Sequence, residues 1–152
     1  MPFAMVIDDD DVSSEIMTHF LEREGYSVWT TLDADQALRR CRESGLDLVV
    51  SDIVLHAPFS GTELTVALRG VCPSVPVLLV SGTPVEGWSD NDLSQLGALA
   101  AGPVEFLMKP FTARAFAKKV AKLRTRTSSD SWIRSALEIA RKSRKHLGGQ
   151  AH

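Results

Sequence analysis

Acidic, hydroxyl and amino side chains follow four apolar runs in this chain, and together they could carry phosphoryl chemistry. They are Asp8 with Asp9, Asp52, Ser81 and Lys109. The run 48–50 before Asp52 is too short for a helix and rich in β-branched side chains, which is typical of a strand buried within a parallel sheet. Because the carboxyl ends of parallel strands share one edge, we expect the polar groups to meet in a crevice there.

The predicted cluster of carboxylates favours a bound cation, because two or three like charges within a few ångströms repel one another. Oxygen ligands suit Mg²⁺, which uses one or two carboxylates together with waters and a phosphate. A carboxylate beside such an ion can attack a phosphoryl group and become an acyl phosphate. Lys109 would neutralise the charge of the transferred group, and Ser81 would hydrogen-bond one of its oxygens.

Strand and helix patterns alternate along most of the chain. Strands are predicted at 3–7, 26–30, 48–52, 75–80 and 104–108, and helices begin at predicted caps Asp10 or Asp11, Asp33, Ser89 and Thr112. This alternation predicts an α/β fold with a five-stranded, doubly wound parallel sheet. In the first helix, Val12, Ile16 and Phe20, with Met17 and Leu21 beside them, are expected to face the core. In the loop 82–88, Trp88 is expected to be half-exposed.

Composition indicates a single domain, 1–127, followed by an amphipathic basic helical tail, 128–152. The chain has 152 residues, of which 44% are apolar and 24% charged. The tail carries five basic and two acidic side chains, and Gly148 and Gly149 are expected to end its helix. The net charge of -2 does not point to nucleic acid. No apolar run approaches membrane-spanning length and no leader is recognisable, so we expect a cytoplasmic protein without a membrane partner.

The two cysteines, Cys41 and Cys72, have neither metal-site nor redox-motif spacing. They are expected to be reduced core residues.

The order of the motifs resembles the receiver domain of two-component response regulators over residues 3 to about 125, as in single-domain chemotaxis regulators. The matching pieces are Val6-Ile7-Asp8-Asp9, Asp52 with Gly61 downstream, Val80-Ser81-Gly82, and Phe106-Leu107-Met108-Lys109-Pro110-Phe111. Each motif is weak alone, but all four occur in the family's order and spacing. The resemblance implies a flavodoxin-like strand order 2-1-3-4-5, followed here by an extra C-terminal helix.

The resemblance also implies a role for each matching residue. Asp52 would be the phosphoacceptor, with Lys109 pairing with the phosphoryl group. Mg²⁺ would be held by Asp8, Asp9, Asp52 and the backbone carbonyl of Val54. Ser81 and Phe106 would form the switch pair that moves on phosphorylation. The donor would be a sensor histidine kinase or phosphotransfer protein, and the chain would promote only its own phosphorylation and slow dephosphorylation.

Three positions depart from the family pattern. The gap from Asp52 to Gly61 is one residue longer than in the commonest members, and His56 stands where a proline is usual. Phe106 lacks the hydroxyl of the commoner tyrosine, so its inward state would gain burial without a hydrogen bond. Val54 is bulky beside the phosphoryl site, from which we expect slow self-hydrolysis.

Other functions are compatible with parts of the pattern. The chain could be the receiver fragment of a larger hybrid kinase or multidomain regulator, or a degenerate receiver used as a scaffold. A haloacid-dehalogenase-like phosphatase would use Asp8 as nucleophile, but no acidic residue follows Lys109 until Asp130. The basic tail could be a solvated face, a partner-docking helix or a dimerisation arm. A homodimer would use that tail or the face of the fourth helix, last strand and fifth helix.

Overall fold

Strands and helices alternate in the computed structural model, which describes residues 2–55, 59–125 and 131–150. The strands are β1 Phe3–Ile7, β2 Ser27–Thr30, β3 Leu48–Asp52, β4 Val77–Ser81 and β5 Val104–Met108. The α-helices are α1 Asp11–Arg23, α2 Ala34–Ser44, α3 Gly61–Val71, α4 Asp90–Leu99, α5 Ala113–Arg124 and α6 Ser131–Gln150. A short 3₁₀ helix, Val85–Gly87, lies between β4 and α4.

The five strands form one parallel sheet in the order β2-β1-β3-β4-β5, which confirms the predicted fold class and strand order. Side chains alternate between the two faces of the sheet, so each face has its own apolar core. One core packs α1 and α5 against residues such as Val50 and Val80. The other packs α2, α3, α4 and α6 against residues such as Val49 and Leu79.

Polar caps set where the helices begin. The side chain of Asp10 accepts hydrogen bonds from two backbone N–H groups of α1, and Asp33, Ser89 and Thr112 each cap their helix as predicted. Ser60 caps α3 in the same way, although the sequence analysis did not identify it. Gly25 and Gly45 follow α1 and α2 with positive φ angles of 94° and 69°, the conformation in which glycine is favoured.

The predicted inward stripe of α1 was wrong over its first two turns. Met17 and Leu21 are buried, but the side chains of Val12 and Ile16 are 65% and 45% exposed. They lie at the end of the helix nearest the carboxyl edge of the sheet, where they line a cavity together with Phe111 instead of the core. Periodicity identifies an apolar stripe but does not tell which part of it extends beyond the sheet.

The prediction of two separate reduced thiols was also wrong. Cys41 at the end of α2 and Cys72 at the end of α3 are paired as a disulfide, with their Cα atoms 6.7 Å apart. The residues are 31 positions apart in the chain, and only the packing of α2 beside α3 brings them within disulfide reach.

Trp88 is buried rather than half-exposed, with 4% of its surface accessible. Its indole Nε1 donates to the carbonyl of Thr83 at 2.8 Å, so the polar atom is satisfied inside the packed loop. Trp88 is buried because α6 covers this loop, and the position of α6 could not be predicted from the sequence.

The C-terminal helix α6 packs on the core that contains Val49 and Leu79, through Ile133, Ala136 and Ala140. Leu137, which follows Ala136, is instead 40% exposed. The helix also continues to Gln150 rather than ending at Gly148 and Gly149, because glycine weakens a helix without obligatorily terminating it. The start of the predicted tail, 128–130, lies outside the described residues.

A buried cation, Arg69 of α3, joins the ends of three elements. Its guanidinium donates to backbone carbonyls of Val75, Leu99 and Pro103, which lie just before β4, at the end of α4 and just before β5. Burial lowers the pKa of Arg69. These hydrogen bonds tie together the edge of the sheet opposite to the candidate site.

Candidate functional site

The carboxyl edge of the sheet collects the polar residues singled out in the sequence. Asp8 directly follows β1, Asp52 ends the neighbouring strand β3, and Ser81 ends β4. Lys109 directly follows β5, and its backbone N–H donates to the carbonyl of Ser81 at 2.8 Å. The parallel order therefore brings these four residues to one edge, as we expected.

The Lys109 ammonium joins two of the carboxylates. Its Nζ lies 2.8 Å from Oδ2 of Asp8 and 2.8 Å from Oδ2 of Asp52. The carboxylate side chain of Asp8 is fully buried and that of Asp52 is 13% exposed, so both charges are largely removed from water. Hydrogen bonds to charged groups are stronger in such surroundings, and they hold the three side chains in one arrangement.

The electrostatics reflect two carboxylates sharing one cation. Burial raises the pKa of Asp52, and the negative charge of Asp8 raises it further, against the opposing effect of the Lys109 hydrogen bond and charge. For Lys109, burial would lower the pKa, but its hydrogen bonds to Asp52 and Asp8 and their charges raise it overall. The ammonium is thus firmly charged, whereas the Asp52 carboxylate is only partly compensated.

The backbone around Asp52 orients its carboxylate and leaves no room for a side chain at Gly61. The N–H of Val54 donates to Oδ1 of Asp52 at 3.2 Å, and the N–H of Gly61 donates to the carbonyl of Ile53 at 3.0 Å. A Cβ atom on Gly61 would lie 1.7 Å from the carbonyl oxygen of Asp52. The glycine of the motif is therefore required by this close approach.

The donor set at the edge fits a hard divalent cation. Asp8 and Asp52 point carboxylate oxygens at a single position, now taken by the Lys109 ammonium, and the half-buried Asp9 is the next residue after Asp8. Within the described ranges, no three His, Cys, Asp or Glu side chains cluster closely enough to hold a metal by themselves. A magnesium ion here would therefore also need backbone, water or phosphoryl oxygens, as is usual for that ion.

Ser81 and Phe106 lie beside this site but face a different set of neighbours. The Ser81 hydroxyl accepts from the N–H of Thr83 at 3.0 Å and donates to the Thr83 carbonyl at 3.3 Å. The half-buried Phe106 ring lies between Trp88 and Trp132, with centroids 5.3 and 5.6 Å away. Trp132 was not identified from the sequence, which carries no signal that a tail residue reaches β5.

The loop that follows β3 is described only in part. Val54 has a half-exposed side chain beside Asp52. His56, whose place in the loop departs from the family pattern, lies outside the described residues.

The chain belongs to the response regulator receiver domain family, whose description matches residues 4–121. Apart from Phe3, the first residue of β1, the matched segment contains every strand of the sheet, and it contains all the residues gathered at its carboxyl edge. The chain is therefore a response regulator receiver domain of the two-component type.

Individual relatives agree with the family match. The probable transcriptional regulatory protein TcrX of Mycobacterium tuberculosis is 29% identical over 123 residues, which are 81% of this chain and 50% of that protein. The nitrogen assimilation regulatory protein NtrX of Azorhizobium caulinodans is 33% identical over 110 residues, 72% of this chain and 23% of that protein. The chain thus spans half or less of these curated relatives.

Among solved structures, the receiver domain of NtrX from Brucella abortus superposes with a TM-score of 0.65 at 25% identity. The alignment covers 80% of this chain and 98% of that domain, so nearly the whole of that domain is shared. None of the described helices combines the length and apolar character needed to cross a membrane.

Proposed function

We propose that Asp52 accepts a phosphoryl group from a phosphohistidine on a sensor histidine kinase or phosphotransfer protein. The observation that carries this proposal is the Lys109 ammonium, held 2.8 Å from a carboxylate oxygen of Asp52 and 2.8 Å from one of Asp8. Membership of the receiver family supports it, because receiver domains are regulatory modules. The protein would then act as a switch in a phosphorelay rather than as an enzyme with a separate substrate.

In the proposed step, a carboxylate oxygen of Asp52 bonds to phosphorus while the bond from phosphorus to the imidazole nitrogen breaks. The electron pair stays on the imidazole, which takes up a proton from water, and Asp52 becomes an acyl phosphate. Lys109 exchanges its hydrogen bond to Asp52 for one to a phosphoryl oxygen and keeps its bond to Asp8. The hydroxyl of Ser81, at the end of the next strand, donates to another phosphoryl oxygen.

The carboxylates of Asp8, Asp9 and Asp52 and the backbone carbonyl of Val54 would hold the Mg²⁺ that receiver domains typically use. When bound, the ion offsets negative charge on the phosphoryl group. The partly compensated carboxylates support this assignment, since the Lys109 ammonium alone leaves a net negative charge at the edge.

An exposed apolar surface next to Lys109 suits the phosphodonor. Val12 and Ile16 of α1 line a cavity of about 520 Å³ together with Pro110 and Phe111. Exposed apolar side chains clustered beside a reactive group are typical of a protein-binding surface. A helix of the donor protein lying there would carry its phosphohistidine to the open side of Asp52.

The output of the switch would be a protein-interaction face that changes with the positions of Ser81 and Phe106. The relatives extend well beyond the matched region, so the chain is also compatible with a receiver unit from a larger hybrid kinase or multidomain regulator. A homodimer through the face of α4, β5 and α5, or through α6, is a further proposed contact.

The decisive experiment is peptide mapping by mass spectrometry after incubation with Mg²⁺ and acetyl phosphate, with an EDTA control. We expect one Mg²⁺-dependent phosphoryl group on Asp52 and none in Asp52→Asn. A phosphoryl group on Asp8 would instead support the phosphatase hypothesis. No adduct with acetyl phosphate or with phosphorylated histidine donors would contradict the proposed function and favour a scaffold.

A further inference from the structure

The face formed by the 3₁₀ helix, α4 and β5 already holds an amphipathic helix, which is α6 of the same chain. Ile133, Ala136 and Ala140 of α6 are buried in the core of that side of the sheet. The indole Nε1 of Trp132 donates to the backbone carbonyl of Val104 at 3.1 Å, which anchors the start of α6 on β5. We call this surface of the body the α6-docking face.

A second anchor holds the other end of the described contact. Arg144 of α6 donates to the backbone carbonyl of Trp88 at 3.0 Å and forms an ion pair with Asp90 at 2.8 Å. Both charged side chains are substantially exposed, so the ion pair contributes little on its own and is screened by salt. The docking of α6 therefore depends mainly on apolar packing and the Trp132 hydrogen bond.

A continuous series of contacts connects the α6-docking face with the phosphorylation site. The Ser81 hydroxyl is hydrogen-bonded to the backbone of Thr83, and the Thr83 carbonyl also accepts from the Trp88 indole. Trp88 meets Phe106 edge to face, and Phe106 stacks on Trp132 at an interplanar angle of 24°. Three residues, Thr83, Trp88 and Phe106, thus connect Ser81 with Trp132 of α6, each in contact with the next.

We propose that α6 is the output element of this receiver, docked while Asp52 is unmodified and released from the α6-docking face when Asp52 is phosphorylated. The inference rests on the proposed phosphorylation of Asp52. Val80, the neighbour of Ser81, is paired with Asp52 across the sheet, which puts the Ser81 hydroxyl on the strand next to the phosphoacceptor. A hydroxyl has one proton to donate, and an anionic phosphoryl oxygen is a stronger acceptor than the Thr83 carbonyl.

When the Ser81 hydroxyl donates to a phosphoryl oxygen instead of to the Thr83 carbonyl, the contacts between Ser81 and α6 change. The Thr83 carbonyl loses the Ser81 donor, and of the two hydrogen bonds between the loop and Ser81 only the one from the Thr83 N–H to the Ser81 hydroxyl remains. Because the aromatic rings are closely packed, a shift of Trp88 or Phe106 removes part of the surface on which Trp132 stacks. Release of α6 would uncover an apolar, helix-sized groove that includes Val85, Trp88 and Phe106, together with the apolar stripe of α6.

Hydrogen–deuterium exchange of the full chain tests the proposal, with phosphorylation of Asp52 measured by mass in the same samples. With Mg²⁺ and acetyl phosphate, we expect exchange in the peptides of 131–144 to rise about fivefold or more relative to the EDTA control. Fully phosphorylated Asp52 with unchanged α6 exchange would overturn the α6 proposal while leaving the proposed function intact. Absence of any phosphoryl group on Asp52, both with acetyl phosphate and with phosphorylated histidine donors, would overturn both.

Two variants examine the same coupling from the side of α6. Coupling between two sites is reciprocal, so Trp132→Ala should raise α6 exchange in the unmodified protein and increase the extent of Asp52 phosphorylation at limiting donor. Arg144→Ala should act in the same direction but more weakly, and Arg141→Ala, which changes another exposed cation of α6, serves as its matched control. Circular dichroism checks that each variant is folded. Increased α6 exchange without any change in phosphorylation would also overturn the coupling.

Discussion

Replacement of Gly61 by alanine should damage both the stability and the chemistry of this domain. Gly61 begins α3, and an added Cβ would lie 1.7 Å from the carbonyl oxygen of Asp52, 2.7 Å from its carbonyl carbon and 2.8 Å from Oγ of Ser51. An ordinary contact needs about 3.5 Å, so α3 and β3 would have to separate by well over 1 Å. The opposing atoms belong mainly to the backbone, which cannot rotate away as a flexible side chain could.

The expected cost of Gly61→Ala follows from overpacking. Inserting a methyl group into a well-packed site costs about 1–3 kcal/mol, and a clash with backbone belongs at the upper end, so we expect a loss of about 3 kcal/mol. For a chain of this size, each kcal/mol corresponds to about 2–4 °C, which gives a midpoint lower by about 6–12 °C. Thermal and urea unfolding followed by circular dichroism would measure both quantities.

The matched control lies on the same helix. A Cβ on Gly70 would have no atom within 4 Å, so Gly70→Ala should be neutral or stabilise α3 by up to about 1 kcal/mol through helix propensity. The reasoning would be refuted if Gly61→Ala unfolded within about 0.5 kcal/mol of the wild type.

Gly61→Ala should also slow phosphorylation at a temperature where the variant remains folded. Moving the backbone of Asp52 shifts its carboxylate relative to Lys109, and a displacement of about 1 Å can reduce a rate about 100-fold. The initial rate of phosphoryl incorporation from acetyl phosphate, followed by intact mass, would measure this effect. An unchanged rate would show that the glycine serves packing alone.

Three further changes have defined outcomes. Burial raises the pKa of the Asp52 carboxyl in the folded state, so the stability that this group contributes should be lost as pH rises above about 4. Asp52→Asn removes the group, so the variant should be more stable relative to wild type at pH 7 than at pH 3 in urea unfolding. Arg69→Met leaves several buried carbonyls without their charged donor and should cost about 3 kcal/mol by the same measurement. Val54→Asn should shorten the lifetime of the acyl phosphate several-fold, because an amide beside Asp52 can orient a water that valine cannot; the decay of the phosphorylated mass measures this.

Each of these predictions has an outcome that contradicts it. A stability difference between Asp52→Asn and wild type that is equal at both pH values would mean that burial of this carboxylate does not disfavour its charge. Arg42→Met, at an exposed position of α2, controls for the loss of an arginine. If Arg69→Met lowered the free energy of unfolding no more than Arg42→Met does, the structural role assigned to Arg69 would be contradicted. An unchanged phosphoryl lifetime in Val54→Asn would count against slow hydrolysis caused by the valine.

Local pattern was sufficient for much of the fold because the signals act over a few residues. Short apolar runs gave the strands, and Asp33, Ser89 and Thr112 were recognisable as caps from their spacing to the following helices. The strand order could not be predicted from local pattern, because the residues of a strand do not specify which other strand it pairs with, as β3 does with β4 and β1 with β2. The order was predicted through resemblance to a family.

The candidate site was largely predictable for the same reason. In a parallel sheet, every strand that ends in a polar residue brings it to the same edge, so the sequence alone predicts that Asp8, Asp52 and Lys109 lie close together. The sequence did not show that the Lys109 ammonium would pair with the carboxylates of both Asp8 and Asp52. The 2.8 Å contacts from one ammonium to two buried carboxylates, and the raised pKa of Asp52 that follows, depend on side-chain positions.

The sequence by itself determined the elements, the class of fold and the residues available for phosphoryl chemistry, since these depend on local patterns of apolar and polar side chains. The tertiary structure alone decided that Val12 and Ile16 face outward, that Cys41 meets Cys72, and that α6 covers Phe106 with Trp132. Each of these joins residues distant in the chain or depends on where a neighbouring element ends. Such contacts are set by the packing of whole elements, for which the spacing of residues within one element carries no information.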